Sequence, residues 1–345
     1  MGKGMGRDMG NGSGKPHPPL GGNPISAGIL VVRLGAMGDI LHALPAAASL
    51  KHSFPASPLT WVVENTWAPL LQNNSFIDRV VTLDRRNPGT WLDTVRELRE
   101  QRFSIAMDFQ GLLKSAITAS LARPDRIFGY SSQFVRERMA AWFYSSRVSS
   151  AAIHIVDRHL DIAAAAGAVN LLRSFPLPLG TPEGDLPEGP FVLACPFAGW
   201  KGKQWPLESY SAVGRELEER WGIPLVLNGP PAERAALASA PGVRIHTSSI
   251  SGLIDATRRA TAILGVDSGP MHLAAALSKP GVAIFGPTDP ARNGPYGGSL
   301  QVLRSPRAKQ INLTRGNYRR GTSIDPTMRD ITPEQVLSAL ASILN

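Results

Sequence analysis

The chain is predicted to be an α/β protein built from two doubly wound domains that face each other across a cleft. Three observations carry this. Apolar runs of strand length alternate with longer segments of helical periodicity from residue 28 onward. The alternation halts at the Pro/Gly-rich segment Phe175-Pro-Leu-Pro-Leu-Gly-Thr-Pro-Glu-Gly-Asp-Leu-Pro187 and then restarts. In both halves, Gly-rich turns with a few polar residues follow the strands, and open α/β sheets bind ligands outside the carboxyl ends of their strands. The expected division is a tail at 1–27, a first domain at 28–174, a linker at 175–189 and a second domain at 190–345.

In the first domain, strands are expected at Ile29–Arg33, Leu59–Val63, Arg79–Leu83, Ser104–Asp108 and Arg126–Tyr130. Helices are expected at Asp39–His52, Thr90–Gln101, Leu112–Leu121, Phe134–Tyr144 and Val156–Ala166. The second domain should open with strand Phe191–Cys195 and helix Leu207–Trp221. Strand Pro224–Leu227, helix Ala232–Ala240 and strand Val243–His246 should follow. Strand Ala262–Val266 should run into a helix of small and apolar residues, Met271–Leu277, with Ser268 placed to cap it. Pro280–Phe285 reads as the next strand. The last helix, Pro333–Leu344, has Thr332 as its cap and Pro333 in its first turn, and is placed to pack back on the first domain.

A length of 345 residues with 43% hydrophobic content can fill two cores. The formal net charge of +9 points to an acidic partner, while 7% aromatics and the lack of a zinc-knuckle or aromatic–basic motif argue against nucleic acid. The single cysteine, Cys195, ends an apolar run and is assigned to the core, which suits a reducing compartment. Residues 1–27 are rich in Gly, Pro and polar side chains and lack the apolar centre of a signal peptide. No apolar run reaches the ~18 residues of a membrane span, so any membrane contact is expected to be peripheral.

Two turns hold the candidate chemistry. After the first strand, Arg33-Leu-Gly-Ala-Met-Gly-Asp39 lacks the G-x-G-x-x-G spacing of a dinucleotide fingerprint, but its glycines let a substrate approach. Asp39, at a helix start, is either a cap or a general base that takes a proton from an acceptor hydroxyl. His42 lies three residues on, on the same helical face, and packs or assists. In the second domain, Asp267-Ser-Gly-Pro-Met-His272 joins a strand to a helix whose first N–H groups favour an anion, typically phosphate. Gly269 would let the ligand reach the backbone, whereas Asp267 repels an anion and better suits a sugar hydroxyl.

Four segments resemble the ADP-heptose:lipopolysaccharide heptosyltransferases, glycosyltransferase family 9. They are Met37-Gly-Asp-Ile-Leu-His-Ala-Leu-Pro-Ala46, Asp108-Phe-Gln-Gly-Leu-Leu-Lys-Ser115, Asp267-Ser-Gly-Pro-Met-His-Leu-Ala-Ala275 and Phe285-Gly-Pro-Thr-Asp-Pro-Ala-Arg-Asn-Gly-Pro-Tyr-Gly297. Lys203-Gln-Trp-Pro206 and Arg329-Asp-Ile-Thr-Pro-Glu-Gln-Val336 add to them. Asp108 to Ser115, Arg136-Glu-Arg, Phe143-Tyr and Val156-Asp-Arg look most like the heptosyltransferase I branch, which places the first heptose on Kdo.

The resemblance implies the GT-B fold, two Rossmann-like domains, and transfer of heptose from ADP-heptose with inversion. It implies Asp39 as base, Lys203 as the cation that neutralises the diphosphate, and Asp267 as the acid that holds heptose hydroxyls. Ser268, Gly269 and His272 share that donor motif, and Glu233 is placed to reach the nucleotide ribose. The acceptor would be the polyanion lipid A–Kdo, met by Arg86, Lys114, Arg136 and Arg158, with Arg85 adding charge. No cofactor is implied, and no D-x-D metal motif occurs, so the reaction is expected to be metal-independent at the cytoplasmic face of the bacterial inner membrane. Two departures stand out. Gly35-Ala36 replace serines frequent in the family's first turn, and Ala198-Gly199-Trp200 replace hydroxyl residues upstream of the lysine. The alternatives are another nucleotide sugar or core acceptor, an epimerase, or a non-catalytic sugar-nucleotide-binding protein of the same fold.

Overall fold

The computed structural model describes residues 27–84, 87, 89–310 and 322–344. The expected tail up to residue 26, and Arg85 and Arg86, lie outside the described residues.

Each half forms a six-stranded sheet in which every pairing is parallel. The first contains β1 (Gly28–Val32), β2 (Leu59–Glu64), β3 (Arg79–Leu83), β4 (Phe103–Asp108), β5 (Arg126–Tyr130) and β6 (Ser146–Val148), in the order β3-β2-β1-β4-β5-β6. The second contains β7 (Val192–Cys195), β8 (Leu225–Gly229), β9 (Arg244–Thr247), β10 (Ala262–Val266), β11 (Gly281–Phe285) and β12 (Leu300–Arg304), ordered β12-β11-β10-β7-β8-β9. Both orders reverse direction once, between β1 and β4 and between β7 and β10. Those two switch points are where such sheets open a crevice. β1, β7, β10 and β11 are buried along their whole length. Burial on both faces by crossover helices explains why they read as unbroken apolar runs rather than alternations.

Helices α1 (Met37–Ser53), α2 (Gly89–Arg99), α3 (Leu113–Leu121) and α4 (Ile155–Ala165) clothe the first sheet. Helices α5 (Leu207–Trp221), α6 (Arg234–Leu237), α7 (Ile250–Arg259), α8 (Gly269–Ala276), α9 (Pro290–Asn293) and α10 (Pro333–Leu344) belong to the second. Thr332 caps α10 through a reciprocal pair: Gln335 N–H donates to Thr332 Oγ1 at 3.4 Å, and Thr332 N–H donates to Gln335 Oε1 at 2.9 Å. Cys195 is buried, which pushes its thiol up to about 12.

Several expectations need correction. No helix runs from Phe134 to Tyr144. A single 3-10 stretch, Arg138–Phe143, leads into β6, which periodicity did not anticipate. The cause is tertiary: Tyr144 turns inward, packs its ring over Gly129 and donates its hydroxyl to the buried Asp108 at 2.6 Å. Residues 232–240 form only a short 3-10 turn and α6. Helix α7, capped by the Ser249 hydroxyl, and edge strand β12 were not expected. Helix α10 does not return to the first half; it packs on α5, β10 and β11 of its own.

Between α4 and β7 the chain has no helix or strand. It is nevertheless pinned to both halves: Asn74 Nδ2 donates to Pro176 O at 2.7 Å, and Arg258 donates to Leu177 O and Pro178 O at 3.1 and 2.9 Å. The larger apolar core runs continuously through both halves.

Candidate active site

At the first switch point the buried Arg33 directly follows β1. Its Nη1 donates to Phe109 O beyond β4 at 2.7 Å, and its Nη2 grips Asp39 Oδ2 at 2.5 Å. Asp39 stands in the first turn of α1, with 37% of its side chain exposed against 5% for Arg33. The guanidinium thus fixes one edge of a carboxylate that stays in contact with solvent. Leu34 N–H donates to Gln110 Oε1 at 2.8 Å, tying the same turn to the loop after β4. That loop hangs on Asp108, which accepts from Gln110 N, Gly111 N, Ser115 Oγ and Tyr144 OH. Burial, offset by these four bonds, raises the Asp108 carboxyl above its usual range. Arg33 escaped sequence reasoning. Its signal was a charged residue closing an apolar strand just before a Gly-rich turn.

At the second switch point Lys203 follows β7 and Asp267 follows β10. Lys203 Nζ lies 2.8 Å from Asp267 Oδ2, both side chains being largely buried. Sequence reading assigned them to different parts of a donor, and the fold places them in contact. Ser268 occupies the residue before α8 but does not cap it: no capping bond forms, and its hydroxyl is buried without a protein partner. Thr288 Oγ1, in the loop after β11, is buried in the same condition. Buried hydroxyls are ordinarily satisfied, so an oxygen-rich ligand at these loops would find donors waiting.

The two switch points meet. Helix α1 packs on α8, and glycines make the approach possible. A β-carbon on Gly38 would lie 2.5 Å from His272 Cδ2, and one on Gly269 would lie 2.8 Å from Met37. Gly269 therefore serves closeness between the halves, a use its sequence context did not suggest. His42 Nε2 and His272 Nδ1 are 3.2 Å apart across this joint, and His272 Nε2 is 4.0 Å from Asp267 Oδ1. Burial holds His272 down to about 4, against the pull of Asp267 and Asp39. Burial, then the charge of His272, likewise keeps His42 well below the usual imidazole value. Both rings are neutral near pH 7 and share one hydrogen bond. His154 joins them, its ring 5.6 Å from that of His42 and its Nε2 3.1 Å from Gly294 O in the second half.

The other candidates divide. Arg158 donates to Ala152 O at 2.8 Å and lies over the Phe134 ring. Arg158, Arg136 and Asp39 all act electrostatically on Arg292 of α9, whose guanidinium is lowered by partial burial and then by Arg158. Arg136, Arg158 and Asp39 are thus all within electrostatic reach of Arg292. Lys114 sits at the other rim of the first switch point, 3.7 Å from Glu64. Glu233 lines a cavity of about 450 Å³ together with Phe197, Lys201, Gln204, Trp205 and Arg329. Among the described residues, no group of three or more His, Cys, Asp or Glu is placed to hold a metal ion.

Paired doubly wound parallel sheets, with Asp39 at one switch point and the Lys203–Asp267 pair at the other, have the two-domain architecture of a GT-B glycosyltransferase. The chain belongs to glycosyltransferase family 9 (heptosyltransferase), whose sequence model matches residues 91–321. It is 28% identical over 310 residues to lipopolysaccharide heptosyltransferase 1 of Escherichia coli K12, spanning 83% of this chain and 96% of that protein. It is 29% identical over 306 residues to the enzyme of the same name from Pseudomonas aeruginosa, spanning 80% and 83%. The E. coli heptosyltransferase WaaC solved with ADP superposes with a TM-score of 0.74 at 25% identity, covering 91% of this chain and 99% of that one. A family 9 glycosyltransferase from Veillonella parvula superposes with a TM-score of 0.76 at 19% identity, covering 93% and 98%.

Proposed function

We propose that this enzyme transfers heptose from ADP-heptose, with inversion, to the Kdo of lipid A in the lipopolysaccharide inner core. Residues 28–174 would bind the acceptor and 190–345 the donor. The observation that supports this reading is the packing of α1 on α8, since Asp39 stands in the first turn of α1 and the Lys203–Asp267 pair lies just before α8. Similarity to lipopolysaccharide heptosyltransferases 1 supports the choice of donor and acceptor.

In the proposed reaction an acceptor hydroxyl attacks the anomeric carbon from the face opposite the diphosphate. Its proton passes to Asp39, and the bond from the anomeric carbon to the distal phosphate oxygen breaks. Arg33 holds Asp39 in one orientation, which favours attack along one line. The charge that develops on the departing ADP falls to Lys203 and the start of α8, where Ser268 offers its hydroxyl. Before the donor binds, Lys203 and Asp267 neutralise each other. When it binds, Lys203 turns to phosphate and Asp267 to heptose hydroxyls. This division resolves the difficulty of an acid beside an anion site. Arg136 and Arg158 would meet the carboxylate and phosphate charges of the acceptor, and Glu233 the ribose. The reaction needs no divalent cation in this scheme, and the enzyme would work at the cytoplasmic face of the inner membrane.

The test is transfer followed by mass spectrometry, with several sugar nucleotides and Kdo-lipid A in detergent. Turnover of ADP-heptose that survives chelator and disappears in Asp39→Ala, with ADP binding kept, supports the proposal. Turnover of a different nucleotide sugar alone, or full activity in Asp39→Ala, sinks it.

A further inference from the structure

The edge of the first sheet at β6 carries a surface that the reaction does not use. Met139 and Trp142 are 49% and 72% exposed. They are three residues apart on the 3-10 stretch Arg138–Phe143, a spacing that aligns side chains on one face of a 3-10 turn. The turn itself is firmly seated: Ala140 and Ala141 are buried, and Arg147 Nε donates to Ala141 O at 2.8 Å. Ile153, 68% exposed, stands on the loop leaving β6. Arg138 and Arg147 are exposed along the same edge. The acid among them, Glu137, is turned toward the start of α3, where it accepts from Leu113 N at 2.7 Å.

We propose that this edge docks on an anionic lipid bilayer, with Trp142 and Met139 entering the headgroup layer and the arginines meeting lipid phosphates. A rigidly held tryptophan flanked by arginines matches the water–lipid interface, where indole is favoured and basic side chains are drawn to anionic headgroups. The edge also adjoins Arg136 and Arg158 at the acceptor side of the cleft, so docking there would bring a membrane-borne acceptor to its entrance. The inference rests on the proposed acceptor for its purpose but not for its test.

The test is co-sedimentation of the full chain with vesicles that contain no acceptor. One set is phosphatidylglycerol–phosphatidylcholine and the other phosphatidylcholine alone. The expected result is binding to the anionic set, weakened by salt and reduced about tenfold or more in Trp142→Ala. Arg138→Ala should weaken it further, and transfer to detergent-dispersed acceptor should stay unchanged in both variants. Equal vesicle binding by wild type and Trp142→Ala, or no binding by wild type, overturns the proposal. So does a concentration-dependent dimer that Trp142→Ala dissolves while lipid binding stays absent. Because the vesicles lack acceptor, failure here leaves the transferase reading standing, and failure of transfer leaves the docking result standing.

Discussion

The contact between Gly38 and His272 makes a sharp prediction about how the two halves hold together. Alanine at position 38 puts a methyl 2.5 Å from His272 Cδ2 and 3.3 Å from Cγ and Nε2. Carbon–carbon contacts are best at about 3.5–4.0 Å, so the ring must retreat by about 1 Å. It cannot do so cheaply, because it is buried and bonded to His42 at 3.2 Å. Overpacking of this kind costs roughly 1–3 kcal/mol. Within α1 itself the change is favourable by roughly 0.5–1 kcal/mol, since glycine is the poorer helix former. The cost falls on the joint and the gain on the first half alone. Gly38→Ala should therefore keep its helix content and disfavour the α1–α8 contact about 5- to 150-fold. The assays are circular dichroism, small-angle scattering with saturating ADP, and transfer rate. Removing the ring as well, in Gly38→Ala/His272→Ala, should restore the compact scattering profile. A single variant that scatters and turns over like wild type would refute the reasoning.

Lys203→Ala leaves the largely buried Asp267 without its cation; transfer should fall roughly 10²–10³-fold, measured as kcat, with a smaller change in acceptor KM. The joint should be acid-sensitive. Burial lowers the pKa of both His42 and His272, the latter to about 4, so below their ordinary value near 6.5 the unfolded chain binds protons that the folded one refuses. Their contribution is complete above pH 6.5 and declines as pH falls, by about 1.4 kcal/mol per unit for each imidazole. Melting temperature should drop from pH 7 to 5, and His42→Gln should flatten the profile; a flat wild-type profile would contradict this. Lys114→Ala/Arg136→Ala should raise acceptor KM and leave ADP-heptose affinity unchanged, and equal damage to both would refute that division of roles.

Much of the architecture could be read before any coordinates, because parallel strands buried on both faces leave unbroken apolar runs that local sequence displays. The strands from Ile29 to Asp108 and the Thr332 cap rest on such local signals. Phe134–Tyr144 was misread for the opposite reason. What ends regular structure there is a hydroxyl reaching 36 positions back to Asp108, and periodicity cannot register that.

The candidate site follows the same rule. Sequence alone marked two turns and their residue types, an acid after β1 and an acid and a hydroxyl after β10; the lysine after β7 came only from the family resemblance. Whether they belong together was a tertiary matter. Switch points bring residues 33 with 39, and 203 with 267, into ion pairs. Two glycines then let α1 and α8 approach until histidines 230 positions apart share a hydrogen bond. Local sequence encodes what one residue can do, whereas charge pairing and burial depend on neighbours that only the folded chain supplies.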